Sequence, residues 1–201
     1  MEHSNFSKLR RDLDEAITYA GISTAEQIVE EGLHEAQNQE VLGEIMYFKA
    51  QKEIIRGNYE EAIQFLGSAI EHNQSDGAAY NDRALCLIEL DADEDQVLAD
   101  FDKGIEAESD YATVYHNKGW YLNKLGVHDE AILYFEKTLK LEPNRAVTYE
   151  NLADAYLNLG YKQKAIEAFQ KALEVLNLRY TDIKDQIEAK IKMITDSEQR
   201  G

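Results

Sequence analysis

Apolar residues recur at three- and four-residue intervals along most of the chain, which is the spacing that lines one face of an α-helix. In the run that contains Tyr115, Gly119 and Leu122, this spacing predicts an amphipathic helix. Gly126 follows where that helix must stop, because glycine readily takes the left-handed conformation common at helix C-termini. A second amphipathic run comes next, so the pattern over residues 112–145 predicts two helices joined by a turn.

The same pattern returns 34 residues later, and self-similarity at a fixed period is the signature of a repeat array. The pairs at this offset are Tyr115 and Tyr149, Gly119 and Ala153, Leu122 and Tyr156, Gly126 and Gly160, Ala131 and Ala165, Phe135 and Phe169, and Leu139 and Leu173. The register continues towards the N-terminus, because Met46 and Ala50 lie 34 residues before Tyr80 and Ala84.

These offsets predict an all-α fold in which residues 1–201 form a single domain of about five helix-turn-helix repeats. The predicted repeats are 6–42, 43–76, 77–111, 112–145 and 146–179. The second helices of the first three repeats are spaced by 37 and 35 residues, so the chain must contain short insertions. One extra residue is predicted in the Asp91–Asp95 turn and three in the linker near Gln37–Glu40.

A final amphipathic helix is predicted over residues 180–196. The last repeat of an array exposes an apolar face, and a helix with a polar outer side normally covers it. The predicted helix has an apolar stripe of Ile183, Ile187, Ile191 and Ile194, and Lys184, Asp185, Glu188 and Lys192 lie opposite. We interpret it as a capping helix, with a partner-binding helix as the alternative.

Composition favours long helices and does not require an oxidising compartment. The chain has a single proline, and its single cysteine, Cys86, cannot form an internal disulfide. Residues 1–8 lack the apolar core of a secretory signal, and no stretch approaches the roughly 18 apolar residues of a membrane span. The sequence therefore predicts a cytoplasmic protein.

The net charge of -18 restricts the classes of partner. Nucleic-acid backbones and anionic membrane surfaces both select for clustered Lys and Arg. Residues 77–111 alone hold eleven acidic residues against two basic ones, a net of -9. We therefore expect neither nucleic acid nor a membrane among the partners.

The sequence contains no motif for catalysis, for a cofactor or for a metal. Phosphate-binding glycine loops, nucleophile elbows and paired cysteines are absent, and the five histidines are scattered. The Asp91–Asp102 segment resembles a calcium loop, but Gln96 replaces the required glycine and the last ligand is aspartate instead of glutamate. We interpret it as an exposed turn before a helix, and we predict no enzyme activity.

The repeat resembles the tetratricopeptide repeat, whose pattern is an aromatic, a small residue, a second aromatic, then Ala, Phe and Pro. The matching residues are Tyr115, Gly119, Leu122, Ala131, Phe135 and Pro143 in the fourth repeat, and Tyr149, Ala153, Tyr156, Ala165 and Phe169 in the fifth, where Asn177 replaces the proline. The resemblance implies a right-handed α-solenoid whose successive first helices line a concave groove for a peptide or a partner's helix.

The resemblance also implies which side chains line that groove. They are Tyr47, Gln51, Asn81, Leu85, His116, Asn117, Trp120, Glu150, Asn151 and Asp154. The small and aromatic positions account for the helix pairing, so we expect these side chains to be available to a partner. Trp120 is the predicted anchor, because aromatic anchors dominate many interfaces; packing against neighbouring repeats is the alternative. In peptide-binding members of the family the equivalent asparagines hydrogen-bond an extended backbone, so the resemblance implies that role for Asn117 and Asn151; the alternative is that they have no ligand, because asparagine is also common there in arrays with no known ligand.

The predicted function is that of an adaptor or scaffold that binds a partner protein in this groove. Chaperone-binding members of the family use Lys and Arg in the groove to hold a C-terminal carboxylate, and this chain lacks a matching basic set. An apolar or basic segment is therefore the expected ligand. Two alternatives stay open: a chaperone-like or immunity-type holder of one client protein, and a self-assembling scaffold.

Overall fold

The structure is a computed structural model and describes residues 4–198. All regular secondary structure in this range is helical, which confirms the predicted all-α class. The chain divides into two compact units, and the division lies between Ser109 and Asp110. They are called unit 1 and unit 2, and each predicted repeat range within them contains one pair of helices.

Unit 1 holds the first three helix pairs. Its helices are α1 (Ser4–Glu15), which continues as a π-helical turn (Ala16–Ala20), α2 (Ile22–Asn38), α3 (Leu42–Arg56), α4 (Tyr59–His72), α5 (Gly77–Glu89) and α6 (Glu94–Ala107). Within this unit α3 packs against α2 and α4, and α5 packs against α4 and α6.

Unit 2 holds the last two helix pairs and the C-terminal helix. Its helices are α7 (Ala112–Lys124), α8 (His128–Leu141), α9 (Ala146–Asn158), α10 (Lys162–Val175) and α11 (Thr181–Glu198). Here α8 packs against α7 and α9, α10 packs against α9, and α11 packs against α10.

Small residues let the paired helices approach closely, as the repeat pattern predicts. A Cβ at Gly119 of α7 would lie 2.9 Å from a ring atom of Phe135 on α8 and 3.2 Å from the carbonyl oxygen of Ala131. Unit 1 shows a tighter case, because a Cβ at Gly32 would lie 2.3 Å from the Phe48 ring. Phe48 and Phe135 are fully buried, so each aromatic fills the space that the glycine leaves.

The predicted turns are confirmed at two of the glycines. Gly126 and Gly160 follow α7 and α9 with φ of 83° and 78°, a left-handed conformation that glycine takes without steric cost. The Asp91–Asp95 turn also contains a left-handed residue, because Asp91 has φ of 51°. The Asp93 side chain accepts a hydrogen bond from the backbone N–H of Asp95, and α6 begins at Glu94. The acids therefore lie at a helix start, as interpreted from the sequence.

The three extra residues of the first repeat lie close to the predicted Gln37–Glu40 position, but they belong to a helix and not to the linker. The chain turns after only a short linker at residues 39–41, and α2 is 17 residues long where α4 has 14. The two helices begin at equivalent places relative to Ala25 and Ala62, so the added residues extend α2 at its C-terminal end. The helix continues through these residues, because neither glycine nor proline lies between Leu33 and Asn38.

Among the residues that the structure describes, no helix has the length and apolar character needed to cross a bilayer. Over the same range, no group of three or more His, Cys, Asp and Glu side chains is arranged to hold a metal ion. Cys86 is a free thiol that is 1% exposed on α5. Burial raises the pKa of this thiol to about 12, so it is an unreactive packing residue in the folded unit.

Candidate functional site

In unit 1 the predicted site residues lie on α3 and α5, and most of them are buried. Tyr47, Gln51 and Asn81 are 4%, 3% and 1% exposed, whereas Leu85 is partly exposed. The three polar side chains converge on one carboxylate, that of Asp82. Asn81 donates its side-chain amide to Asp82 Oδ1 at 2.8 Å, Gln51 donates to Oδ2, and Tyr47 contributes a further hydrogen bond.

Asp82 is the electrostatic centre of this cluster. Burial raises the pKa of its carboxyl to about 6, against the opposing effect of the hydrogen bonds from Asn81, Tyr47 and Gln51 and of the charge on Arg10. Each of those donors stabilises the charged form, and together they only partly offset the desolvation. The cluster therefore changes charge in mildly acidic solution.

Arg10 of α1 completes the polar surface of unit 1. Its guanidinium makes a bidentate pair with Asp76 at 2.7 and 2.8 Å, reaches Glu44 at 3.0 Å and stacks 3.7 Å from the centre of the Tyr47 ring. Asp76 also caps α5, because it accepts a hydrogen bond from the backbone N–H of Ala79. One arginine thus ties α1 to α3 and to the start of α5.

We expected these side chains to be available to a partner, but Tyr47, Gln51 and Asn81 are buried in unit 1. Tyr47 and Gln51 join α3 to α5 through Asp82, and Tyr47 also supports Arg10. The small and aromatic positions account for pairing within a repeat, but successive first helices need contacts of their own. Leu85 is the predicted residue of unit 1 that keeps exposed surface.

In unit 2 His116 takes the same kind of structural role. It is 7% exposed on α7, and its Nδ1 and Nε2 lie 2.9 Å from Thr148 Oγ1 and 3.4 Å from Asn151 Nδ2, both on α9. Burial, and next the charge of Arg145, lower the pKa of the imidazole to about 3. A neutral ring that accepts from the Asn151 amide at Nε2 and donates from Nδ1 to Thr148 satisfies both contacts.

The remaining predicted residues of unit 2 share a partly exposed surface on α7 and α9. Trp120 and Asn117 lie on α7, and Trp120 has the ammonium of Lys124 5.7 Å from its ring centre. Two contacts join the helices on either side of Trp120, from His116 to Asn151 and from Asn123 to Asn158. Asp154 is midway between Asn151 and Asn158 on α9, so it lies at the same level as Trp120.

Glu150 and Asp154 are already paired with a cation from α11. Lys190 Nζ lies 2.9 Å from Glu150 Oε1 and 3.1 and 3.3 Å from the two oxygens of Asp154. The side chains of Lys190, Glu150 and Asp154 are 37%, 23% and 37% exposed, so water reaches the contact. The predicted residues of unit 2 that are partly exposed are thus Asn117, Trp120, Asn151, Glu150 and Asp154, and the last two hold an internal lysine.

Sequence reasoning missed Arg10 and Lys190, and it placed Asp82 at the repeat position of Asn117 and Asn151 without assigning it a role. Lys190 could have been found, because it is three residues after Ile187 and four before Ile194 and so lies beside the apolar stripe of α11. Arg10 lies in the most divergent repeat and carries no signal that distinguishes it from a solvated charge.

Unit 2 also has a cavity of about 330 Å³ on α7 and α8. Its lining residues are Tyr115, Glu130, Leu133, Tyr134 and Lys137. Lysines already stack on both tyrosine rings, with Lys118 4.7 Å from the Tyr134 centre and Lys137 5.5 Å from the Tyr115 centre. None of the predicted site residues lines this cavity.

A family model matches the two repeats of unit 2. The family model of the tetratricopeptide repeat matches residues 112–145 and 146–175, which are the two helix pairs of unit 2. No curated protein sequence matches the chain significantly.

Several solved structures have a similar fold. The thermophilic protein TTC0263 from Thermus thermophilus, a tetratricopeptide-repeat protein, has a TM-score of 0.69 at 17% identity, over 94% of this chain and 98% of that one. YrrB, described as having an unusual peptide-binding site, has a TM-score of 0.56 at 17% identity, over 81% and 82%. The first repeat domain of RPAP3, bound to an HSP90 peptide, has a TM-score of 0.55 at 21% identity, over 59% and 94%.

Identities this low show a common fold only. They agree with the family match in unit 2 and with the helix pairs of unit 1. The resemblance inferred from the sequence is therefore confirmed: the chain carries tetratricopeptide repeats and has the fold of tetratricopeptide-repeat proteins.

Proposed function

We propose that this protein is a cytoplasmic adaptor that binds a peptide or helix of a partner protein on the α7–α9 surface of unit 2. The observation that carries the proposal is the position of Trp120. The ring is partly exposed and lies one helical turn from His116, which contacts Asn151 of α9, and one turn from Asn117. A rigid aromatic ring beside polar amides is a common arrangement for a binding hot spot.

The neighbours of known structure support this kind of function. YrrB is described as a peptide-binding protein, and the RPAP3 domain holds a peptide. In this chain the ammonium of Lys124 lies 5.7 Å from the Trp120 ring centre, and the carboxylates of Glu150 and Asp154 on α9 are paired with Lys190. We propose a ligand with basic or apolar side chains, because the net charge of -18 disfavours an acidic one.

The buried residues of the predicted set have an indirect role in this proposal. Successive first helices are held in place by buried side chains, which are those of Tyr47, Gln51, Asn81 and His116. Leu85 is the predicted residue of unit 1 whose side chain is partly exposed. No catalytic role is proposed for any of them. The binding surface we propose thus consists of Asn117, Trp120, Glu150, Asn151 and Asp154.

The test is affinity capture from native lysate with the wild-type chain and a Trp120→Ala, Asn117→Ala, Asn151→Ala variant. Circular dichroism first establishes that the variant keeps its helix content. We expect a captured partner to bind the variant at least about 30-fold more weakly, as removal of an aromatic hot spot of about 2 kcal/mol requires. Titration calorimetry with the purified partner measures the difference.

Tyr161→Ala is the matched control, because this tyrosine is 51% exposed at the start of α10 and belongs to no proposed contact surface. Equal binding by the triple variant and the wild type would contradict the assignment of the site. A stoichiometric complex that keeps an otherwise insoluble client in solution would favour the holder alternative.

A further inference from the structure

The C-terminal helix α11 is attached to unit 2 by a narrow apolar stripe. Ile187 and Ile194 are 1% and 8% exposed, whereas Met193 on the other side is 73% exposed. The segment before the helix contains Leu178, which is 92% exposed. Helix α11 therefore buries few large side chains for its length of 18 residues.

The other terminal helix is attached far more firmly. In α1 the side chains of Phe6, Leu9 and Leu13 are 2%, 4% and 2% exposed, so α1 is part of the core of its unit. Since burial of apolar surface is the main stabilising contribution to helix docking, α11 is the element of unit 2 that detaches at least cost.

The surface beneath α11 is defined by what Lys190 touches. Its ammonium contacts Glu150 and Asp154 of α9 and lies 5.3 Å from the centre of the Phe169 ring of α10. We call these three residues the α9–α10 surface. It offers two carboxylates next to a buried aromatic ring, and a lysine beside an apolar stripe complements it.

The acidic pair needs a cation. Burial raises the pKa of Asp154, and the charge of Glu150 raises it further, while Lys190 opposes both effects. Burial alone would lower the pKa of Lys190, but its contacts with Glu150 and Asp154 outweigh that effect and raise it. Removing Lys190 would leave two adjacent carboxylates in a partly desolvated site.

We propose that α11 is an internal occupant of a docking surface, and that a partner protein displaces it with an amphipathic helix that carries an apolar stripe and a lysine. The chemistry of the occupant is taken from α11 itself, whose Ile187, Lys190 and Ile194 supply the pattern. The proposal rests on the proposed adaptor function and adds its regulation: the α9–α10 surface becomes available only when α11 leaves.

The first experiment measures hydrogen exchange of α11 in the full chain, for the wild type, for Lys190→Ala and for Lys184→Ala. Lys184 is the matched control, because it pairs only with Glu188 of its own helix at 3.6 Å and is 54% exposed. We expect the α11 amides of Lys190→Ala to exchange several-fold faster than those of the wild type, with Lys184→Ala unchanged, because exchange follows the population of the open state.

The second experiment adds a labelled synthetic peptide with the sequence of residues 179–198 and measures its binding by fluorescence anisotropy. Apparent affinity scales with the open fraction, so Lys190→Ala should bind the peptide at least about fivefold more tightly than the wild type does. In a Glu150→Gln, Asp154→Asn variant, α11 should detach more often than in the wild type. The variant should nevertheless bind the peptide no better than the wild type, because the carboxylates that contact the lysine are absent.

Identical exchange and identical peptide binding in Lys190→Ala and Lys184→Ala would overturn the proposal and leave α11 as a fixed cap. Dimers of Lys190→Ala that exchange α11 between copies, detected by sedimentation, would also overturn it, because the occupant would then be a second copy. The probe is a segment of this chain, so the result does not depend on the lysate capture. If Lys190→Ala changes neither the hydrogen exchange of α11 nor peptide binding, while the Trp120 variant loses its partner, only the displacement proposal is wrong.

Discussion

Each unit places one basic side chain from a terminal helix against carboxylates of the first helices, and the two contacts differ in kind. In unit 1 the Arg10 side chain is 17% exposed and holds Asp76 with a bidentate pair. In unit 2 the Lys190 side chain is 37% exposed and reaches Glu150 and Asp154 as a single ammonium. Arginine offers a planar fork that fits a carboxylate, whereas lysine offers a mobile point charge.

The difference shows how one charge pattern serves two purposes. A buried pair is costly to break, because removal of one member leaves the other charge without compensation. A half-exposed pair contributes little to stability, since water competes for both members. The Arg10 contact therefore fixes the architecture of unit 1, and the Lys190 contact is exchangeable.

The largest effect is expected for Arg10→Ala. Its loss leaves the buried Asp76 and the partly buried Glu44 without a cation, and we expect unit 1 to lose about 3–5 kcal/mol of unfolding free energy. The measurement is urea unfolding followed by pulse labelling of Cys86, the only cysteine, which is buried on α5 and reacts when unit 1 opens.

Lys8→Ala on the same helix is the control, because Lys8 is 63% exposed and pairs only with Asp12 one turn away. Its expected effect is within about 0.5 kcal/mol. Arg10→Lys should fall between the two variants, since it keeps the charge and loses the bidentate geometry. If Arg10→Ala lowers the unfolding free energy no more than Lys8→Ala does, the proposed contrast between the Arg10 contact of unit 1 and the Lys190 contact of unit 2 is wrong.

A second, smaller effect is expected in the pH dependence of unit 2. The pKa of His116 is about 3 in the folded unit, below its ordinary value of 6.5. The unfolded chain therefore binds a proton that the folded unit excludes between these values. The unfolding free energy should fall by up to about 1.4 kcal/mol per pH unit as the pH drops below 6.5.

Trp120 is the only tryptophan and lies in unit 2, so its fluorescence during urea unfolding reports this effect. The control is His116→Gln, which keeps a polar side chain but has no titrating group. The difference in unfolding free energy between the wild type and His116→Gln should be constant above pH 7. It should change steadily from pH 6.5 to pH 4.5. Parallel profiles over that range would show that the imidazole is not held neutral.

The fold could be predicted from the sequence because it depends on local spacing. Gly119 and Phe135 are 16 residues apart within one repeat, and the 34-residue period brings the same pair back as Ala153 and Phe169. The spacing of the apolar residues indicates which face of each helix is buried, and the positions of the glycines indicate where helices end. The π-helical turn at Ala16–Ala20 had no such signal, because nothing in its composition differs from an ordinary helix.

The site could be predicted only in part, for a physical reason. A polar side chain that faces solvent and one that faces another polar side chain give the same pattern of polar and apolar positions. His116 therefore looked available, although Thr148 and Asn151, 32 and 35 residues away, occupy both of its nitrogens. Such contacts between successive first helices depend on tertiary geometry, which periodicity does not encode.

The smallest effect is expected at Asp82, with the opposite sign to that of His116. Burial raises the pKa of Asp82 from 3.8 to about 6, so the folded unit 1 keeps a proton that the unfolded chain releases. This contribution to stability is complete below pH 3.8 and is lost as the pH rises through 6. Asp82→Asn removes the titration, so the unfolding free energy of the variant should rise relative to that of the wild type by about 2 kcal/mol between pH 4.5 and pH 7. Labelling of Cys86 with a dithiopyridine, which reacts in acid, measures the difference against a urea-unfolded reference at each pH. A variant that loses stability relative to the wild type as the pH rises would contradict the assigned direction, and the two units would then respond to acid in the same way.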